Sequence, residues 1–260
     1  MKRLVLSEIE RIFSRKSTKI LFAISIVFPI IFFYLCQLRW KFSTYIVDGV
    51  ELPLNSLNYP VTQMGEYNAL LIFILLPLFF SESLSSEIDS GAYKMILLRQ
   101  SQKWKLLASK WISLAIIYLG MLICTYFTNA LIGYLFLPKV NYTTYYNITE
   151  NLNSLYSTVY NLKFYLIMLV VHMALLAAIS LLSLIVQKPI LTFLGSIALL
   201  IVCMYVFTPV NIIFFQTSQV AFSILGGAFN LNYVFIFSMI VLLLFSLSVW
   251  MWNKKIGDIV

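Results

Sequence analysis

The sequence predicts an all-α polytopic membrane protein with six transmembrane helices, built as a single domain over residues 1–260. Three observations carry this prediction. Of the 260 residues, 61% are hydrophobic and only 11% are charged, whereas a soluble domain has about 25% charged residues. Apolar runs of about 20 residues, the length that crosses a bilayer, recur along the chain. The alternating pattern of a membrane β-barrel is absent.

The first predicted element is an amphipathic helix over residues 1–19 that lies on the inner membrane face. Six basic residues surround its apolar positions. The apolar residues near helical spacing are Leu4, Val5, Ile9, Ile12 and Phe13. An ordinary basic flank of the first span is the alternative. A cleaved signal peptide is disfavoured, because the apolar run 20–36 is longer than usual and no small-residue cleavage site follows it.

Six apolar runs define the predicted spans, with Pro29 and Pro77 inside the first two. The runs cover residues 20–37, 67–83, 111–136, 164–186, 189–209 and 233–252. Proline removes a backbone donor and kinks a helix, which membrane helices tolerate when neighbouring groups compensate. Only Gln187 and Lys188 separate the fourth run from the fifth. These two helices are therefore expected to be antiparallel neighbours.

The distribution of Lys and Arg predicts that both termini are cytosolic. Fourteen of the 18 basic residues fall in the N-terminus, the 82–110 segment, Lys188 and the C-terminus, and four fall on the other side. An even number of spans agrees with this orientation. The same asymmetry accounts for the net charge of +8, so we expect no nucleic-acid partner.

Residues 210–232 are uncharged but are interrupted by polar side chains and by Gly226 and Gly227. A full span here would move the C-terminus to the outside, against the lysine distribution. We therefore expect a re-entrant or interfacial pair of short helices on the outer side, between spans 5 and 6. A seventh span is the alternative.

Residue patterns for catalysis, metal binding or cofactor binding are missing. No glycine is followed by lysine, which excludes a nucleotide-binding P-loop. The single histidine, His172, is expected to be neutral and hydrogen-bonded to a neighbouring helix. Asn129 and Gln187 are expected to make helix–helix or interfacial contacts. The chain is thus predicted not to be an enzyme and to bind no cofactor, so another protein must supply any energy.

The charged stretch 82–110 is the predicted contact with such a protein. Gly91 can adopt backbone angles that turn the chain between two helices. An apolar helix over 92–98 can bury one face in a groove on a soluble partner, with charged residues pairing at its rim. The predicted contact residues are Glu87, Asp89, Gly91, Tyr93, Lys94, Met95, Ile96, Leu97, Leu98, Arg99 and Ser101. A plain cytosolic loop is the alternative.

This stretch, together with the topology of the whole chain, resembles the ABC-2 family of ABC-transporter permeases. In that family a Glu-x-x-x-Gly element follows the second span. A short coupling helix, a break often written Leu-Pro-x-Ser-Arg and a lysine entering the third span come next. Glu87 and Gly91 match the element, and Lys110 matches the lysine. Leu98 and Ser101 fit the break, which lacks the family's proline here.

The resemblance implies a permease that pairs with a second copy or a related chain in the cytoplasmic membrane of a bacterium. It also implies two soluble ATPase subunits, which would hold the ATP and Mg²⁺. Small Gram-positive permeases of this kind serve lantibiotic immunity or export amphipathic peptide toxins similar to phenol-soluble modulins. Export of amphipathic or hydrophobic peptides is therefore the implied function. A drug or lipid efflux permease and a non-transporting scaffold or regulatory subunit are the alternatives.

Overall fold

Helices dominate the computed structural model, which describes residues 1–39, 41–91, 103–148, 150–227 and 231–257. Within these ranges there are ten α-helices and two π-helical turns, Tyr34–Arg39 and Leu71–Leu75. The α-helices are α1 (Lys2–Ser14), α2 (Lys16–Phe33), α3 (Tyr59–Leu70), α4 (Leu76–Asp89), α5 (Lys103–Phe136), α6 (Ser154–Val186), α7 (Pro189–Val206), α8 (Thr208–Phe215), α9 (Thr217–Leu225) and α10 (Leu231–Gly257).

Six helical segments of the described chain are long and apolar enough to cross a membrane, which confirms the predicted number of spans. Spans 1 to 6 are, in order, Lys16–Cys36, Tyr59–Asp89, Trp104–Phe136, Ser154–Val186, Pro189–Val206 and Val234–Lys254. Spans 2, 3 and 4 begin seven to ten residues earlier than predicted. Their predicted starts directly followed Glu66, Lys110 and Lys163. A charged residue ended the apolar run in each case, while the backbone continues as helix through it.

Two short antiparallel strand pairs lie between spans 1 and 2 and between spans 3 and 4. Strand β1 (Thr44–Val47) pairs with β2 (Val50–Pro53), with Val47 opposite Val50. Asp48 and Gly49 form the turn, and both have positive φ (48° and 78°), as a type I′ turn requires. Strand β3 (Tyr142–Thr143) pairs with β4 (Leu152–Asn153). Asp-Gly is a common sequence for such a two-residue turn.

Helix α1 and the last turns of α10 lie at one end of the bundle, which we call the charged end. Helix α1 packs on α5, and the Ser113 hydroxyl donates a 3.1 Å hydrogen bond to the Val5 carbonyl. Near the C-terminus, Trp252 is buried against Leu106 and Leu107 of α5. The two strand pairs lie together at the opposite end, the hairpin end, where the Asn55 amide donates a hydrogen bond to Thr143.

A chain of buried hydrogen bonds joins spans 2, 3 and 4. The Asn68 side-chain N–H donates to the Phe214 carbonyl, which directs the Asn68 amide oxygen toward His172 Nε2 at 2.9 Å. The Nε2 atom must therefore carry the proton, and His172 Nδ1 accepts from the Tyr118 hydroxyl. This geometry holds a neutral histidine between helices, as expected. Asn129 likewise bonds the side chain of Gln63 across a helix–helix contact.

The stretch after span 5 forms two short helices, α8 and α9, rather than a further span. With 8 and 9 residues, they extend about 12–14 Å, less than half of the ~30 Å hydrocarbon core. Helix α9 packs against α3 and α6. Helix α8 supplies the Phe214 carbonyl to Asn68. The described chain between spans 5 and 6 thus contains two short helices.

Candidate functional site

The predicted ATPase contact begins at the charged end, directly after span 2. Glu87 and Asp89 lie in the last turn of α4, and Gly91 follows with φ of +69°. No atom lies within 4 Å of where a Gly91 side chain would begin, so the left-handed backbone itself is what requires glycine. The remaining predicted residues lie outside the described residues. These are Tyr93, Lys94, Met95, Ile96, Leu97, Leu98, Arg99 and Ser101.

Glu87 is buried inside the protein rather than exposed at a rim. One of its oxygens lies 2.7 Å from Arg15 Nη2. The other lies 2.8 Å from Arg11 Nη2 and also contacts the Lys110 ammonium. Glu8 pairs with Arg11 and lies 3.6 Å from Lys110 Nζ. We call these five residues the charged cluster.

Three separate elements meet in the charged cluster. Glu8 and Arg11 lie one turn apart on α1, and Arg15 follows one turn later where α1 ends and α2 begins. Glu87 comes from the end of span 2, and Lys110 from the second turn of α5. The cluster therefore ties α1, span 2 and span 3 together.

Because the paired groups are buried, the loss of either partner would leave a charge unpaired and out of water. The Lys110 side chain is only 1% exposed and that of Glu87 only 7%. Taking a charge out of water costs several kcal/mol, which is recovered only while the partner stays in place. The two carboxylates face three cations, so the cluster keeps one positive charge in excess.

Sequence reasoning found Glu87 and Lys110 through the motif but missed Glu8, Arg11 and Arg15. It placed all three in the amphipathic helix predicted over residues 1–19 and counted the two arginines toward the orientation of the chain. Their spacing of three and four residues was the available signal, because it places an acid and two bases on one helix face. A further bond joins spans 1 and 2, since the Ser17 hydroxyl donates to a Glu82 carboxylate oxygen at 2.8 Å.

A second candidate site is a cavity of about 670 Å³ at the hairpin end. Span 1, strand β1, helix α3 and helix α9 surround it. Its wall includes Phe42, Tyr45, Tyr59, Thr62, Glu66 and Gln219. Burial raises the pKa of Tyr45, which keeps its hydroxyl neutral. The predicted start of span 2 at residue 67 excluded Glu66 from the membrane helix, so this carboxylate was not considered.

A second cavity, of about 370 Å³, lies between spans 4, 5 and 6 and has an almost wholly apolar wall. Ala178, Leu182, Leu199 and Val241 contribute to that wall. It offers nothing for chemistry. In the described ranges, no three His, Cys, Asp or Glu side chains come together as a metal site.

No protein-family model, curated protein or solved structure matches this chain.

Proposed function

We propose that this chain is the membrane subunit of an ATP-driven exporter of the ABC-2 type, energised by a separate soluble ATPase. The cargo proposed is an amphipathic or hydrophobic peptide. The charged cluster is the observation that carries the proposal. It contains Glu87, the first residue of the proposed ATPase contact, and it joins Glu87 to α1 and span 3 through buried ion pairs.

The cluster supports a mechanical role for the 92–102 stretch. Glu87 precedes this stretch in the sequence and Lys110 follows it, and the two side chains form an ion pair. A partner that displaces the stretch would move the ends of spans 2 and 3 together, because separating them leaves buried charges without partners. Arg11 and Arg15 extend the same connection to α1 and span 1. An ATPase closing on this stretch would thus shift several spans at once.

The orientation proposed places the charged end in the cytosol. Most Lys and Arg residues belong to this end, in agreement with the positive-inside rule. Helix α1 would lie along the inner interface, and its Phe13 side chain, 48% exposed, would reach the acyl region. Helices α8 and α9 would then belong to the outer side.

Pairing with a second permease copy or a paralogue is also proposed. Spans 5 and 6 bury only 17% and 6% of their apolar windows within the chain, whereas spans 2, 3 and 4 bury between 56% and 61%. Spans 5 and 6 therefore present wide apolar faces that lipid or a second chain can cover. A drug or lipid efflux permease of the same type shares all of these features.

The test is coupling to an ATPase. The chain would be co-expressed with a candidate ABC ATPase subunit, co-purified, and reconstituted with a cationic amphipathic peptide. We expect the peptide to stimulate ATP hydrolysis severalfold and to be transported. Failure of any ATPase to co-purify would favour the non-transporting scaffold instead.

Gly91→Pro tests the proposed contact, because proline holds φ near −65° and removes the N–H that Gly91 donates to the Ile88 carbonyl. Gly227→Pro is a matched control. Gly227 also has a positive φ, 72°, and donates to the carbonyl three residues back, but it lies next to α9. Gly91→Pro should abolish stimulation while Gly227→Pro keeps it. Equal effects of the two substitutions would contradict the proposal.

A further inference from the structure

The hairpin-end cavity has the properties of a ligand site. Its volume of about 670 Å³ lies within the ~300–1,000 Å³ of typical small-molecule pockets. Elements that are distant in the sequence form it together, since span 1, β1, α3 and α9 all contribute to the wall. The approach of α3 to α9 is close, because a side-chain carbon at Gly65 would lie 3.2 Å from Ser218 Cβ.

Glu66 is the charged group of this cavity. It lies seven residues into α3, about 10 Å from the start of span 2. Its side chain is exposed, and no Lys or Arg in the described part of the chain forms an ion pair with it. A carboxylate within a membrane helix costs about 2.5–3.5 kcal/mol on insertion scales and commonly marks a functional position.

The rest of the wall is aromatic and apolar. Phe42, Tyr45, Tyr59 and Phe222 all line the cavity. Aromatic ring faces attract cations as well as apolar groups. A wall of this composition around one carboxylate fits a ligand with a single positive charge and an apolar body.

Unsatisfied polar atoms lie in the same wall. The hydroxyls of Tyr45 and Tyr59 and the Gln63 amide nitrogen are buried without a hydrogen-bond partner among the described residues. Buried polar groups in proteins are normally paired. These three atoms are shielded from the cavity as well as from bulk solvent, so the case for binding rests on Glu66 and the aromatic wall.

We infer that the hairpin-end cavity binds an amphipathic cation, with the positive charge at Glu66 and the apolar body against the aromatic wall. The inference concerns binding by this chain alone and needs no ATPase. That the cation is the basic end of an exported peptide rests on the proposed function. Binding without coupling, and coupling without binding here, are therefore separate results.

The experiment measures binding of tetraphenylphosphonium to the purified full-length chain in lipid nanodiscs, with empty nanodiscs subtracted. Triphenylphosphine oxide is the neutral probe of similar shape. We expect saturable binding of the cation and at least about tenfold weaker binding of the neutral probe. The phosphonium cannot donate a hydrogen bond, but the Coulomb attraction between a carboxylate and a cation about 6 Å away is roughly 3 kcal/mol at an effective dielectric constant of about 20, and about 1.4 kcal/mol corresponds to a tenfold change in affinity.

Glu66→Gln keeps the size of the side chain and removes its charge. It should weaken binding of the cation at least about tenfold and leave binding of the neutral probe unchanged. Glu150→Gln is the control, since Glu150 is an exposed carboxylate at the same end but outside the cavity wall. Equal affinities of wild type and Glu66→Gln would overturn the inference, as would an equal loss in Glu150→Gln.

Gln219→Trp supplies an independent variant should Glu66→Gln fail to fold, as judged by gel filtration and thermal unfolding. Gln219 lies on α9 and lines the same cavity as Glu66, although the two residues are far apart in the sequence. A tryptophan there fills space without changing charge. It should weaken both probes, and unchanged binding of both would also overturn the inference.

Discussion

Removing the charge of Glu87 is expected to destabilise the protein by about 3 kcal/mol, the lower end of the 3–5 kcal/mol for breaking a buried ion pair. Glu87→Gln keeps the shape of the side chain but leaves three cations with one remaining carboxylate, that of Glu8. The Lys110 side chain, 1% exposed, cannot turn to water. Arg11 and Arg15 are 33% and 19% exposed and can recover part of their hydration, which lowers the expected loss.

Thermal unfolding of the purified chain in detergent is the assay. For a protein of this size, about 3 kcal/mol corresponds to a decrease in Tm of roughly 6–12 °C. Asp89→Asn is the matched control, because Asp89 is exposed and lies two residues further along the same helix. An exposed charge should change the Tm by less than about 2 °C.

The double variant Glu87→Gln with Lys110→Met separates loss of the charge pair from damage to the helix. Replacing both members of a buried pair by uncharged groups is often close to neutral. The double variant should therefore recover at least half of the Tm lost in Glu87→Gln. A Tm change for Glu87→Gln no larger than for Asp89→Asn would refute the reasoning. So would a double variant less stable than the single one.

Two glycine-related predictions concern packing and backbone strain. Gly133→Ala should destabilise by about 1–3 kcal/mol, because its new carbon would lie 2.9 Å from the Ser56 carbonyl oxygen. Gly120→Ala in the same helix should be neutral or slightly stabilising, since the nearest atom to its new carbon would be at 3.4 Å. Chemical unfolding compares the two variants, and equal losses of unfolding free energy would contradict the packing argument. Gln187→Gly should stabilise by about 0.5–1 kcal/mol, because Gln187 ends α6 with φ of 62°. A lower Tm for this variant would count against strain there.

The membrane spans could be predicted from the sequence because the bilayer imposes a length of apolar helix that is visible in one dimension. The predicted first residues of spans 2, 3 and 4 were wrong, because each was placed directly after a charged residue. Lys110 and Glu66 both lie within helices. The buried charge of Lys110 is stabilised by Glu87, and Glu66 lines a cavity.

The candidate sites could be predicted only in part. The motif pointed to Glu87. The arginines that pair with it reach it only because α1 packs against spans 2 and 3. Seventy-two residues of chain separate Arg15 from Glu87. Spacing along a helix cannot report a partner at such a distance, because that contact depends on how whole helices pack.

By itself, the sequence determined that this is a six-span membrane protein with its basic residues gathered toward one end, because hydropathy and charge act residue by residue. The tertiary structure decided which charges are buried together and which carboxylate stays unpaired. Glu87 lies among three cations, and Glu66 lines a cavity with none paired to it in the described chain. The difference arises because desolvation and ion pairing depend on surroundings that only the packed helices create.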